Sequence, residues 1–500
     1  QVLAHRLRSA GPFLASVVPT TGRRAMAAAP PPRINALGDA ETLHICLFLT
    51  AREACHVRAT SSAGELQGKA NSEGYWAECA NRTFGLKDAP SGPGTDGAAA
   101  AKGSWRMTVA LWTEAARELG LDPEKPAAPA KWISVWLRLR RWLAGNAQDV
   151  LRSLRPAAGE ADVAFMQERG YNNVDPIVLG LWRVFDGQNV PVERGLAQEI
   201  GLPALHADVC WSNGLLGGYS AYDHEISTVL LPLRAAVKLT ELLRQRLPIF
   251  GTDHPTKITF AASYNAAKIL LVDLCDGRVY AWTRRPSPLL ELAAPAALGS
   301  EGLLGWFQEY ASRLEAGVYA PTPLRPESWT STTGICLFPA AGAELSRCVT
   351  NGVEITASCV YMPEHPQGWT YSFGLRLVGS PQERGYATCQ LHMRHWEIGE
   401  EDGPEPEHVR GEGVIGLFPI LCDGGWILNT ESDPHNQYAR PQGKQDGLFK
   451  YQSCSGRRPS MRCTFGGDIT FVPGTLRKPT GPPFQAFVER FKLRVPEFIY

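Results

Sequence analysis

The sequence has no net charge to spare. Fifty Lys and Arg stand against fifty Asp and Glu in 500 residues, so no overall field draws the chain to nucleic acid or an anionic membrane, and neither is expected as a partner. Long apolar runs are missing too, since none approaches the eighteen residues that a membrane-crossing helix needs. The twelve cysteines include no C-x-x-C pair, and Cys454 and Cys463 have no His or Cys partner at zinc-ligand spacing. Thiols scattered in this way are expected of a reduced cytosolic or nuclear chain, buried as small apolar groups. Among the eleven histidines there is no H-E-x-x-H and no facial carboxylate pair, and the chain has no G-x-S-x-G elbow. His392 and His395 fall on opposite faces of an expected strand, so the two cannot chelate one metal from that strand. Cys46 and Cys55 have neither a basic helix N-terminus nor a His at fixed spacing to make a thiolate nucleophile. Catalytic residues, metal and cofactor are therefore all expected to be none.

What is present is enough for about three domains of ordinary size, with 44% apolar content to fill their cores. Residues 1–33 read as a disordered or non-native leader. Residues 1–38 carry Arg6, Arg8, Arg23, Arg24 and Arg33 and no acid, a composition that also fits an organelle transit peptide. The preferred expectation is a natural start at Met26. Residues 34–121 form an expected helical unit with a linker at 85–104. In it Leu37, Leu43, Cys46, Leu47, Leu49, Ala54 and Val57 recur at three- and four-residue spacing, Asp39 is placed as a cap, and Trp105 to Leu119 adds a further helix.

From Trp132 the pattern becomes α+β, over residues 131–318. Trp132, Trp136, Leu139, Trp142 and Leu143 line one helical face. Ile177 to Phe185 is an expected helix ending at Asp186-Gly187-Gln188, and Gly214 to Tyr219 is an expected tight loop. Lys257 to Ala262, Lys268 to Leu274 and Arg278 to Trp282 are expected strands, the last two joined by an Asp276-Gly277 hairpin turn. Gly302 to Gly317 closes the unit as a helix. Val318 to Ser328, with three prolines, reads as an extended, stiff tether.

Residues 322–500 read as strands. Val353 to Tyr361 and Trp369 to Leu377 alternate apolar and polar residues with period two. Further runs at Cys389 to Ile398, Cys463 to Val472 and Phe484 to Val495 are bounded by turn residues, which predicts a two-sheet sandwich. Within this region Gly411, Gly413 and Gly416 spell G-x-G-x-x-G. A nucleotide fold would need a buried strand before these glycines and a helix after them. Gly399 to Glu407 cannot supply that strand, and Pro419 with Gly424-Gly425 leaves no room for a long helix. The expectation is a turn followed by a strand from Val414 to Leu421.

Three family resemblances rest on these residues. Arg394-His-Trp-Glu-Ile398, Gly411-Glu-Gly-Val-Ile-Gly-Leu-Phe-Pro-Ile420, Tyr451-Gln-Ser453, Phe471-Val-Pro473 and Phe491 to Tyr500, in that order, resemble the ApaG family, an immunoglobulin/fibronectin-like all-β sandwich. Ile34-x-x-Leu37, Leu43-x-x-Cys46-Leu-Phe-Leu49, Ala54-Cys-His-Val57 and Tyr75-Trp76 resemble an F-box, a small all-α unit. In that family such Leu and Ile side chains face a Skp-type adaptor, which implies an adaptor-binding set of Ile34, Leu37, Leu43, Cys46, Leu47, Leu49 and Val57. Leu181-Trp-Arg-Val-Phe-Asp-Gly-Gln188, Gly-Gly-Tyr-Ser-Ala-Tyr-Asp223 and the helix from Gly302 resemble the SUKH superfamily of α+β protein-binding domains.

Together these resemblances imply a substrate-recognition subunit of a Skp-cullin-F-box ubiquitin ligase, with the adaptor, a cullin and an unknown protein substrate as partners. The rival expectation is a stand-alone binding protein whose ApaG-like domain takes a phosphorylated small ligand near Arg410, Gly411, Gly413 and Gly416. A nucleotide-using enzyme is a third reading, and it requires a helix after Gly416.

Overall fold

The computed structural model describes residues 73–84, 86, 104–121, 130–205, 213–283, 289–326, 333–403, 405–428, 444–454 and 462–500. The expected adaptor-binding residues Ile34, Leu37, Leu43, Cys46, Leu47, Leu49 and Val57 lie outside these. Contacts divide the chain into a unit ending at Tyr75 and a second running from Trp76 to Tyr500. The account below concerns the second.

The longest helices among the described residues are α1 (Glu73–Phe84, which enters this unit at Trp76), α2 (Trp105–Glu118), α3 (Ala130–Asn146), α4 (Pro176–Val184), α5 (Leu233–Arg246) and α6 (Gly302–Glu315). α2 starts where Ser104 accepts a hydrogen bond from the Met107 amide at 3.3 Å, a side-chain cap for a donor the helix leaves free. α2 packs against α3, where Arg141 pairs with Glu118 at 3.2 Å, and its Trp112 ring lies 6.2 Å from Phe84 of α1. Trp132, Trp136, Leu139 and Leu143 of α3 are fully buried. The Trp132 indole donates to the Ile177 carbonyl at 2.6 Å, so burying this large ring strands no polar atom. α4 follows the rule of proline at its first position and an Asp cap, the Asp175 carboxylate accepting from the Ile177 amide at 2.7 Å.

α5 and α6 pack on an eight-stranded sheet made of β1 (Gly218–Ala221), β2 (His224–Leu230), β3 (Lys257–Ser263), β4 (Ile269–Asp273), β5 (Val279–Trp282), β6 (Leu290–Leu292), β7 (Ala320–Pro323) and β8 (Thr333–Cys336). Their order is β6-β5-β4-β3-β2-β1-β8-β7, antiparallel except where Gly218 pairs with Cys336. Two expectations change here. The tight loop at Gly214 to Tyr219 ends in a strand, because a Cβ on Gly218 would lie 1.9 Å from the Ile226 carbonyl oxygen and only glycine lets β1 approach β2. The tether from Val318 is extended but paired: two of its three prolines, Pro321 and Pro323, sit in β7, the outermost strand, where a missing N–H costs no ladder bond.

The remaining strands are β9 (Ser346–Thr350), β10 (Val353–Tyr361), β11 (Trp369–Leu377), β12 (Cys389–Glu400), β13 (Glu407–Glu412), β14 (Ile420–Cys422), β15 (Gly425–Ile427), β16 (Lys444–Asp446), β17 (Phe449–Cys454), β18 (Arg462–Pro473) and β19 (Phe484–Arg494). One sheet runs β17-β11-β10-β9 and the other β16-β15-β14-β12-β18-β19, with β13 beside β12. Their inner faces meet around Phe373 of β11, which stacks on Trp396 of β12 with ring centres 4.9 Å apart and lies 5.8 Å from Phe465 of β18. Alternation of apolar and polar residues puts these rings inside a sandwich, as the sequence predicts.

Candidate functional site

The glycine motif sits at the open end of the β12–β13 hairpin. Gly411 lies within β13, opposite Arg394, and Arg410 is exposed opposite His395. The described residues between β12 and β13, 401–403 and 405–406, form no strand, as expected, and β13, which carries Gly411 itself, runs antiparallel to β12 with half of its residues or more exposed. Val414 and Leu417 then exchange two backbone hydrogen bonds of 3.0 and 2.8 Å in a tight turn, and the strand resumes only at Ile420. The single strand expected from Val414 to Leu421 is therefore a turn and a three-residue strand. Positive φ at Gly413 (60°), Ile415 (45°) and Gly416 (75°) makes the turn possible. At Gly413 a side chain would meet the Leu417 carbonyl oxygen at 2.8 Å.

The turn already uses its own amides. Gly413 donates to the His392 carbonyl at 2.8 Å, and Arg394 Nη1 donates to the carbonyls of Glu412 at 3.1 Å and Gly413 at 2.8 Å. Residues 413–428 contain no helix, so the dipole and free N–H groups of a nucleotide loop are not assembled around Arg410, Gly411, Gly413 and Gly416.

A second polar constellation lies where the eight-stranded sheet meets the sandwich. Tyr219 of β1 donates to Glu364 at 2.5 Å, His224 Nε2 lies 2.9 Å from the same carboxylate oxygen, and Lys268 Nζ donates to the Tyr219 hydroxyl at 3.1 Å and to the Tyr500 carbonyl. Lys268 has no exposed surface. Burial pulls its ammonium down to about 8, against the opposing influence of Glu364. Burial pushes the Glu364 carboxyl up, but the Lys268 charge and hydrogen bonds from His224 and Tyr219 outweigh it and hold the group below the usual range. Beside this network Ser220 donates to Gln452 at 2.5 Å and Thr370 donates to the Ser220 carbonyl at 3.0 Å, both joining β1 to the sandwich.

Tyr500 completes the junction. Its ring centre lies 4.6 Å from Trp306 and 5.1 Å from Tyr310, its hydroxyl donates to the Trp306 carbonyl at 3.1 Å, and the Trp306 indole donates to the Ile499 carbonyl at 3.0 Å. A cavity of about 450 Å³ opens next to it, lined by Arg313, Tyr319, Glu344, Cys359, Arg494 and Tyr500 among others. Burial raises the Cys359 thiol to about 12, so it is no nucleophile at neutral pH.

Neither junction nor cavity was visible as a motif. A lysine within the apolar run Ala266-Ala-Lys-Ile-Leu-Leu-Val272 was the one available signal, because an unpaired buried ammonium is too costly to occur without partners. Sequence reading also missed the meeting of His395 with His408, which comes from the facing strand.

Residues 363–427 match the family described as ApaG domain. Over 472 residues, 90% of this chain and 95% of the relative, the sequence is 27% identical to F-box protein SKIP16 of Arabidopsis thaliana. Protein ApaG of Bradyrhizobium sp. (strain ORS 278) is 32% identical over 116 residues, 22% of this chain and 83% of that protein. F-box only protein 3 of Mus musculus is 22% identical over 363 residues, 69% of this chain and 64% of that protein. Through its C-terminal sandwich the chain belongs to the ApaG family, in an F-box/ApaG arrangement shared with relatives along most of its length.

Proposed function

We propose that this chain is the substrate-recognition subunit of a Skp-cullin-F-box ubiquitin ligase. One observation carries the reading: the likeness to a protein named as an F-box protein covers 90% of this chain, too much of it to rest on the sandwich alone. The N-terminal residues Ile34, Leu37, Leu43, Cys46, Leu47, Leu49 and Val57 then serve as the apolar contact with the Skp-type adaptor, which in turn holds the cullin. The SUKH-like α+β layer and the ApaG-like sandwich take the protein substrate. Binding alone suffices for such a subunit, because tethering raises the effective concentration of the substrate at a separate ubiquitin-conjugating enzyme. The chain itself supplies no catalytic group, and it acts in the cytoplasm, the nucleus or both.

The test is capture of a purified Skp-type adaptor by the full chain, with Leu47→Asp/Leu49→Asp alongside. Capture by the unmodified chain and its loss in the variant, with the unfolding midpoint unchanged, is the expected result. If the unmodified, folded chain fails to retain the adaptor, the ligase reading is wrong.

A further inference from the structure

The β12–β13 hairpin brings together side chains that neither the glycine motif nor the ligase reading uses. His395 and Glu397 are two apart on β12 and so project from one face. His408 stands directly opposite Glu397 on β13. His395 Nε2 and His408 Nδ1 are 2.9 Å apart, the rings are stacked with centres 5.1 Å apart, and one donor atom from each of His395, Glu397 and His408 lies within 4.8 Å of the others.

The next shell is built as well. Asp468, the register partner of His395 on β18, accepts from His395 Nδ1 at 2.9 Å and is 8% exposed. A carboxylate there keeps the proton on Nδ1 and leaves the Nε2 lone pair facing His408, the arrangement by which a second shell presents a histidine to a metal. Two imidazole nitrogens this close must have something electropositive between them, either a shared proton or a cation.

We propose that His395, His408 and Glu397 form a site for a divalent transition-metal ion of the zinc class. Two nitrogens and one carboxylate oxygen suit a borderline ion, whereas calcium and magnesium take oxygen shells and copper(I) prefers sulfur. Ligand atoms at bonding distance from one tetrahedral zinc stand about 3.3 Å apart, so the histidine nitrogens must open by a few tenths of an ångström. His408 is exposed on a strand with one neighbour and can make that shift. Exposure also leaves the remaining coordination positions open to water.

Two cations stand nearby. Arg490 donates to Glu397 Oε2 at 2.6 Å, and Arg410 is exposed in register with His395. Bound metal shares the carboxylate with Arg490 and pins β13 to β12, stiffening the hairpin that ends in the glycine turn.

The experiment is calorimetric titration of the metal-stripped full chain with zinc chloride, together with its thermal unfolding midpoint with and without zinc. His408→Ala, a change on an exposed strand, and Glu397→Gln are measured in parallel, and cobalt(II) absorption reports the coordination geometry. Expected are binding and a raised midpoint in the unmodified chain, a cobalt spectrum of nitrogen and oxygen ligands, and affinity reduced at least about tenfold in both variants. No binding at millimolar zinc overturns the site. Equal affinity in His408→Ala, or a cobalt spectrum dominated by thiolate, assigns the zinc to other residues and overturns it equally.

Discussion

The Tyr219 hydroxyl reaches Glu364 at 2.5 Å from a different sheet, and that contact sits at the centre of the bond between the α+β layer and the sandwich. Tyr219 lies on β1, whereas Glu364 belongs to the connection between β10 and β11. Both side chains are buried, as is the Lys268 ammonium beside them.

Glu364→Gln removes the carboxylate whose charge offsets that of Lys268. Breaking a buried charge pair from one side leaves the other charge uncompensated, so the variant should lose about 3–5 kcal/mol at pH 7. Urea unfolding followed by tryptophan fluorescence measures it. A loss under about 1 kcal/mol would mean that water reaches the lysine.

Lys268 also makes stability depend on pH. Burial lets the folded chain give up this proton at about 8, against about 10.4 for an ordinary lysine side chain. Below 8 both states hold it and the slope is zero. Between the two values the unfolded chain holds more protons, so stability rises with pH. Tyr219, Tyr310 and Tyr500, whose hydroxyls burial pushes well up, act oppositely above about pH 10 by keeping protons that the unfolded chain releases. From pH 7 to 9 the unmodified chain should therefore gain stability relative to Lys268→Met. Parallel curves for the two proteins across that interval would contradict the assignment.

Tyr500→Ala empties a site between Trp306, Tyr310 and Tyr319. Truncating a buried aromatic ring costs about 3–5 kcal/mol. Tyr500→Phe, which loses only the hydrogen bond to the Trp306 carbonyl, should cost about 1 kcal/mol. Thermal unfolding of the two variants should rank them in that order.

Pyrophosphate should leave the unfolding midpoint of the full chain unchanged. The amides of Gly413, Val414 and Leu417 are already bonded to carbonyls of the hairpin, so an anion at the glycine turn would have to break those bonds to be held. A midpoint that climbs with pyrophosphate concentration, and fails to climb in Arg410→Ala, would instead favour the small-ligand reading.

Regular segments were legible because one periodicity decides each of them. Val353–Tyr361 and Trp369–Leu377 are strands over the residues whose alternation marks them, and Ile177 to Phe185 is displaced by a single residue from the helix Pro176–Val184. The Asp276-Gly277 turn joins β4 and β5, with φ of 69° at Gly277. Illegible features depend on distant partners. Gly218 looks like a turn residue until β2 is placed against it, and Lys268 is surprising only once Glu364 and Tyr500 close over it. His408 becomes a neighbour of His395 through hairpin register, which a one-residue slip would undo.

Gly218 and Cys336 share a parallel backbone pairing, and that small fact forbids a tidy pair of scissors. A cut near residue 322 would divide one hydrogen-bonded sheet, strip β1 of its neighbour β8, and pull Tyr500 out of its aromatic socket. An excised sandwich would display raw strand edge and greasy rings to any passing chain, an invitation to clump. The sandwich of this chain is thus a fixture and not a portable piece: it belongs to the same compact unit, Trp76 to Tyr500, as the α+β layer.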